Sequence, residues 1–205
     1  MIALSEDKKR GRRELKDSPE VKQDVFDAAV RVFARYGYGA ASVQKIADTA
    51  GVNKAMLYYY FGSKEELYNL IIGKSINALE TAVAAAENKD ISLEERLRRF
   101  LTAYLGVAIA QPGLARIIYR EIIELGERVR QMVTDHFTGS IERLAAVLEQ
   151  AQEEGHLAGV DASLSAYSLF GMANIFISRL MITEHSLDND VLVDHILKLF
   201  FSGAG

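Results

Sequence analysis

An all-helical fold in two parts is what this sequence predicts, on three observations. Apolar residues recur at intervals of three and four along nearly the whole chain, and no stretch alternates as a strand would. Serines that can start helices, Ser63 and Ser92 among them with a glutamate three residues on, and glycines that can end them punctuate that pattern. Charge divides along the chain: residues 1–64 carry 12 Lys and Arg against 8 Asp and Glu, and the remainder carries 12 against 20. With 205 residues, 49% hydrophobic and 25% charged, the chain can bury a core in one or two domains. About nine helices fit, as an arm at 1–17, a three-helix domain at 18–63 and a larger helical domain at 64–205.

The arm contains Lys8, Lys9, Arg10, Arg12, Arg13 and Lys16 with little apolar content. It reads either as a strap into a minor groove or as a solubilising tail, and its interspersed acids weaken the first. Helix one starts at Ser18-Pro19, serine as cap and proline at the first turn, and buries Val21, Val25, Phe26, Ala29, Val32, Phe33 and Tyr36 before Gly37 stops it. Ser42 caps a short second helix that buries Ile46, Ala47 and Ala50 and ends at Gly51; a third starts after Asn53 and turns Leu57 inward. Ser63 to Glu66 is a capping box opening a helix over 64–86, about 34 Å long at 1.5 Å per residue, which reads as a beam connecting the domains. A second box at Ser92 to Glu95 opens the next, and Gln111-Pro112-Gly113 interrupts the pattern before Leu114 resumes it. A long amphipathic helix stops near Gly155, and the last two cover about 162–183 and 189–201.

Several chemistries are excluded at this level. Without cysteine there is no disulfide, thiol nucleophile or cysteine-held metal, and the four histidines, His136, His156, His185 and His195, form no close metal-binding pair. No metal and no cofactor are expected. No window reads as a convincing apolar span of about 20 residues, so a soluble, cytoplasmic protein without membrane contact follows. Glu121, Glu124, Glu127, His136, Arg120 and Arg128 could serve an enzyme, but charges at helical spacing usually form solvated faces and no catalytic motif accompanies them.

Residues 42–61, SVQKIADTAGVNKAMLYYYF, place two short helices around a tight turn at Ala50-Gly51-Val52-Asn53, a helix-turn-helix. Lys45, Asn53, Lys54, Tyr58, Tyr59, Tyr60 and Lys64 crowd this stretch with donors and amphipathic rings, against a single acid, Asp48. Such a face suits phosphate oxygens. Packing competes for the tyrosines, because consecutive helical positions point in different directions.

The string Gly37-Tyr38, Ser42-Val43, Ile46-Ala47, Ala50-Gly51-Val52, Leu57-Tyr58, Phe61 and Lys64-Glu65-Glu66-Leu67 resembles the tetracycline-repressor family of bacterial regulators. Beyond Leu70 only the succession of helices, with Gly171-Met172-Ala173-Asn174 in the penultimate one, looks similar. The resemblance implies a homodimeric transcriptional regulator, by default a repressor, that binds a double-stranded DNA operator and responds to a small-molecule effector. It implies that Lys54, Ala55, Met56 and Tyr59 face the major groove, that Tyr58, Tyr60 and Lys64 lie near phosphates, and that Ser42 and Lys45 meet the flanking backbone. Ala41 and Met56 depart from the commoner pattern of hydroxyl residues: Ala41 weakens phosphate anchoring, and Met56 favours apolar contact at the base edge over hydrogen-bond readout.

In the acidic two thirds, Ser163 to Met181 has only Arg179 charged, so this helix is apolar on nearly every face and calls for a partner surface. Ala166, Phe170, Ala173 and Ile177, with Val191, Leu192, Ile196 and Leu199 of the last helix, form the expected half of a four-helix dimer interface. An internal hairpin packed on one core is the competing reading. A dimer would present two reading heads to an inverted repeat, with half-sites separated by about 34–36 Å or a multiple. The resemblance further implies an effector site between 93 and 183, with Tyr104, Tyr119, Arg120, His136, Tyr167 and Asn174 as polar fixtures and Ile117, Phe137 and Phe170 as lining. The same residues serve equally as core. A DNA architectural or interaction protein without effector is the alternative function; equal binding to palindromic and scrambled duplexes would mark it.

Overall fold

The computed structural model describes residues 18–124, 127–157, 159–182 and 188–203, and the basic arm at 1–17 lies outside them. The described residues form nine helices and no strand. The chain divides into two compact units that meet at Ile72 and Gly73, inside the fourth helix, whereas the sequence put the boundary before Lys64. The difference has a packing cause. Tyr68, 4% exposed, lies 4.8 Å from both Phe33 and Tyr38 by ring centroid, so the start of that helix completes the core of the first unit.

Three helices and this fourth segment make the first unit: α1 (Pro19–Ala40), α2 (Val43–Ala50), α3 (Lys54–Phe61) and the first part of α4 (Lys64–Ala86). Val25, Phe26, Ala29, Val32 and Phe33 of α1 are buried, as their spacing predicts. Gly37 at φ 74° breaks the helix as expected, and one further helical turn follows it to Ala40. Ser18 does not cap with its side chain; its hydroxyl donates to the Glu20 carboxylate, and its carbonyl takes the Val21 and Lys22 amides. Two caps set the turn between α2 and α3. Ser42 Oγ accepts from the Lys45 amide at 3.1 Å, and Asn53 Oδ1 accepts from the Ala55 amide at 3.0 Å. Between them Gly51 sits at φ 68°, where a side chain would be strained, and its N–H bonds back to Ala47.

The second unit contains the remainder of α4 with α5 (Leu93–Ala110), α6 (Pro112–Glu124), α7 (Glu127–Glu153), α8 (Ala162–Ile182) and α9 (Asn189–Gly203). Its core joins Val83, Leu97, Phe100, Leu101, Leu105, Leu144, Leu148, Leu169, Phe170 and Ile196. Ser92 caps α5 through the Glu95 amide at 3.3 Å. Buried Arg96 donates Nε to the Ala86 carbonyl at 2.7 Å, which ties the end of α4 to α5. α5 and the following segment to Glu121 meet at a bend of 100°, where Pro112 cannot continue the ladder. By length and composition alone α8 could cross a membrane, as core helices of soluble proteins also could. In the fold it places Ser165, Ala166, Leu169, Phe170, Ala173 and Ile177 in the interior.

Candidate nucleic-acid interface and apolar cavity

In the first unit α3 is anchored by two residues, Leu57 at 0% and Phe61 at 8% exposure. Opposite them Lys54, Ala55, Tyr58 and Tyr59 are exposed and Met56 is half-buried. Tyr58 and Tyr59 leave 51% and 59% of their surface in water, and the Tyr59 ring meets that of Tyr60 edge-on at 5.1 Å between centroids. Lys45 projects from α2 with its ammonium 3.8 Å from the ring centroid of Tyr36, and the Arg35 guanidinium lies 5.3 Å from the same ring. This two-cation, one-ring patch was not foreseen, because Tyr36 fits the helical spacing of the core yet ends 39% exposed.

Two residues expected at phosphates are turned inward. The Lys64 ammonium donates to the Tyr38 carbonyl at 2.9 Å and the Ala41 carbonyl at 3.0 Å, and sits 4.1 Å from the Tyr38 ring centroid. It therefore holds the junction from which Ser42 starts α2, with two of its three N–H groups occupied. Tyr60 is half-buried, and its hydroxyl reaches the Ser18 carbonyl at 3.4 Å. Spacing alone could not show this, since both partners are backbone carbonyls far away in sequence.

The second unit holds a half-open cavity of about 240 Å³. Ser75, Ile76, Ala78 and Leu79 of α4, Tyr104 and Val107 of α5, Leu114, Ala115, Ile118 and Tyr119 of α6, His136 and Phe137 of α7, and Asn174 and Ile177 of α8 wall it. Among the described residues, no lysine or arginine does. Its main polar feature is a short chain: Tyr104 Oη donates to Asn174 Oδ1 at 3.1 Å, and Asn174 Nδ2 donates to the Phe170 carbonyl at 2.9 Å. Burial pushes the Tyr104 phenol up to about 12 against the opposing pull of the Asn174 hydrogen bond, so the group is neutral at any physiological pH. His136 Nδ1 lies 2.7 Å from Glu80 Oε1 and also borders a shallow polar groove with Asp135, Glu142 and Arg143. Beside it Arg143 pairs with Glu87 through Nε and Nη2, at 2.7 and 2.8 Å.

Comparison with known proteins gives this arrangement its place. Residues 25–71 match the model for bacterial regulatory proteins of the tetR family, and residues 90–178 match that for the tetracyclin repressor-like C-terminal domain. The chain belongs to the tetR family. Such a chain is a DNA-binding transcriptional regulator of the ligand-responsive kind. Among its relatives, the fatty acid metabolism regulator protein of Bacillus subtilis is 25% identical over 184 residues, covering 87% of this chain and 93% of the relative. The HTH-type transcriptional repressor SCO4008 of Streptomyces coelicolor is 29% identical over 195 residues, covering 89% and 94%. The solved structure of FadR from Bacillus subtilis in complex with stearoyl-CoA superposes with a TM-score of 0.66 at 25% identity, covering 89% of this chain and 99% of that one. That of the fatty acid degradation regulator FadR from Bacillus halodurans gives 0.73 at 25%, covering 91% and 97%.

Within this TetR-family chain, five of the nine residues expected at an effector line the cavity: Tyr104, Tyr119, His136, Phe137 and Asn174. Four do not. Ile117 is buried without facing it, Arg120 is absent from the wall, and Tyr167 is 52% exposed on the outside. Phe170 supports the wall through edge contacts with Tyr104 and Phe137. The α4 residues were missed because that helix read as a connector.

The expected dimer surface needs a similar correction. Ala166, Phe170, Ala173, Ile177, Leu192 and Ile196 are 7% exposed or less, packed in the interior of their own unit, and so are unavailable to a partner. Only Val191 at 66% and Leu199 at 52% face outward, and the exposed apolar residues of α8 are Leu164, Tyr167, Ile175 and Ile182. The apolar composition of α8 hid which stripe the protomer uses for itself.

Proposed function

We propose that this chain is a cytoplasmic repressor that binds an inverted-repeat operator as a homodimer and leaves it when a small apolar or amphipathic molecule fills the cavity of the second unit. The observation that carries this is the pairing, in one chain, of an outward α3 surface with a mostly apolar cavity that holds the Tyr104–Asn174 pair. Lys54, Ala55, Met56 and Tyr59 are assigned to base edges, where the Met56 thioether favours thymine methyls. Ser42, Lys45, Asn53 and Tyr58 are assigned to backbone phosphates, together with the Arg35 and Tyr36 patch. Lys64 and Tyr60 act by holding the head together. Leu164, Tyr167, Ile175, Val191 and Leu199 supply the apolar surface for a second copy.

The complex of a relative with stearoyl-CoA supports an effector with an apolar body. A tenfold loss of operator affinity needs about 1.4 kcal/mol of coupling between the sites. The test is selection from a random duplex pool at physiological salt, followed by binding to the recovered duplex. Two chains per duplex and a palindromic consensus are expected. Equal affinity for scrambled DNA would replace this reading with that of an architectural protein.

A further inference from the structure

The hydrogen-bond chain in the cavity has a direction. The Phe170 carbonyl can only accept, so the Asn174 amide must turn Nδ2 toward it and Oδ1 toward Tyr104. Tyr104 must then donate its one proton to Asn174. What remains for a ligand is a lone pair on Tyr104 Oη and one N–H on Asn174 Nδ2, an acceptor beside a donor. A hydroxyl answers both at once, because it accepts and donates from one atom. A carboxylate only accepts, and would set its charge against the Tyr104 lone pair in a wall whose described residues include no lysine or arginine.

Charge around the wall points the same way. His136 already faces Glu80, and the adjoining groove carries Glu80, Asp135 and Glu142 against Arg143, which is paired with Glu87. An anionic head leaving on that side would meet an acidic surface.

We propose that the effector is an uncharged amphipath, an apolar body bearing one hydroxyl that bridges Tyr104 Oη and Asn174 Nδ2, and that fatty-acid anions and the acyl thioesters of anionic coenzyme A are not its ligands. This deepens the effector reading above and rests on it, while departing from the stearoyl-CoA bound by the relative.

The experiment is calorimetric and thermal-shift titration of the full chain, without DNA, with 1-octanol, its methyl ether, octanoate, octanoyl-CoA and stearoyl-CoA. Expected are binding of 1-octanol at least tenfold tighter than octanoate or the ether, no binding of stearoyl-CoA, and loss of the preference of alcohol over ether in Tyr104→Phe. The comparison of alcohol with ether uses the native chain and needs no variant to fold. Octanoate or either thioester binding as tightly as the alcohol would overturn the inference and leave the ligand-released repressor intact. Failure of every compound to bind would overturn it too, and would leave operator recognition to be judged on the selected duplex alone.

Discussion

The two units of this chain put function in opposite kinds of place. In the first, α3 fills its inner side with Leu57 and Phe61, and the proposed DNA contact lies on its exposed outer side. In the second, the proposed effector region is a space the side chains leave unfilled between α4, α5, α6, α7 and α8. A surface site is thus written in residues that depart from a hydrophobic pattern. A cavity is written in residues that obey it, and differs from core only by the volume they fail to occupy.

Truncating one side chain in each region breaks or sharpens this contrast most strongly. Leu57→Ala opens a hole in a filled core and should cost about 2–5 kcal/mol in denaturant unfolding, with DNA binding falling as the head loosens. Leu79→Ala only widens a space that already exists and should cost about 1–2 kcal/mol. Equal losses at the two positions would mean that the second unit is packed as tightly as the first.

The next effect is confined to the outer face. Met56→Ala and Tyr59→Phe should change preference between matched and scrambled duplexes by about 1–3 kcal/mol at one base position. The salt dependence of binding, which counts phosphate contacts, should stay nearly constant. Anisotropy titrations at several salt concentrations separate the two, and equal losses on both duplexes would reassign these residues to phosphate.

Smaller effects belong to local structure. Asn53→Ala removes the acceptor for the Ala55 amide and should lower stability by about 1 kcal/mol, read by thermal unfolding. Smallest is the pair of Arg143 and Glu87, where the hydrogen-bonded guanidinium holds the Glu87 carboxyl below its ordinary value of 4.5. The contribution is fully present above that value and is lost as pH falls through the lowered one. Because both groups are about 40% exposed, Glu87→Gln should cost less than about 1 kcal/mol at pH 7 and nothing measurable at pH 2.

How much was legible follows the same division. Helix starts at Ser42, Asn53, Ser63 and Ser92 were readable because each cap depends on a side chain two or three residues from its partner. Leu57 as core and Tyr58 and Tyr59 as surface were readable from spacing and residue type. The contacts of Lys64 and Tyr60 with the carbonyls of Tyr38, Ala41 and Ser18 were not readable, because tertiary approach sets them. In α8 nearly every position is apolar, so periodicity carried no information, and the inner stripe of Phe170 and Ala173 was mistaken for the outer one of Leu164 and Ile175. The cavity side of α4 was invisible because a wall and a connector share one amphipathic pattern.

The central claim is that the outer side of α3 enters a DNA groove. It is tested most directly by repeating the duplex selection with a chain carrying Lys54→Ala, Met56→Ala and Tyr59→Phe, all at solvent-facing or half-buried positions. The account predicts unchanged unfolding behaviour, retained weak binding to mixed-sequence DNA, and loss of the half-site consensus recovered by the native chain. Recovery of the same consensus at the same affinity would contradict it.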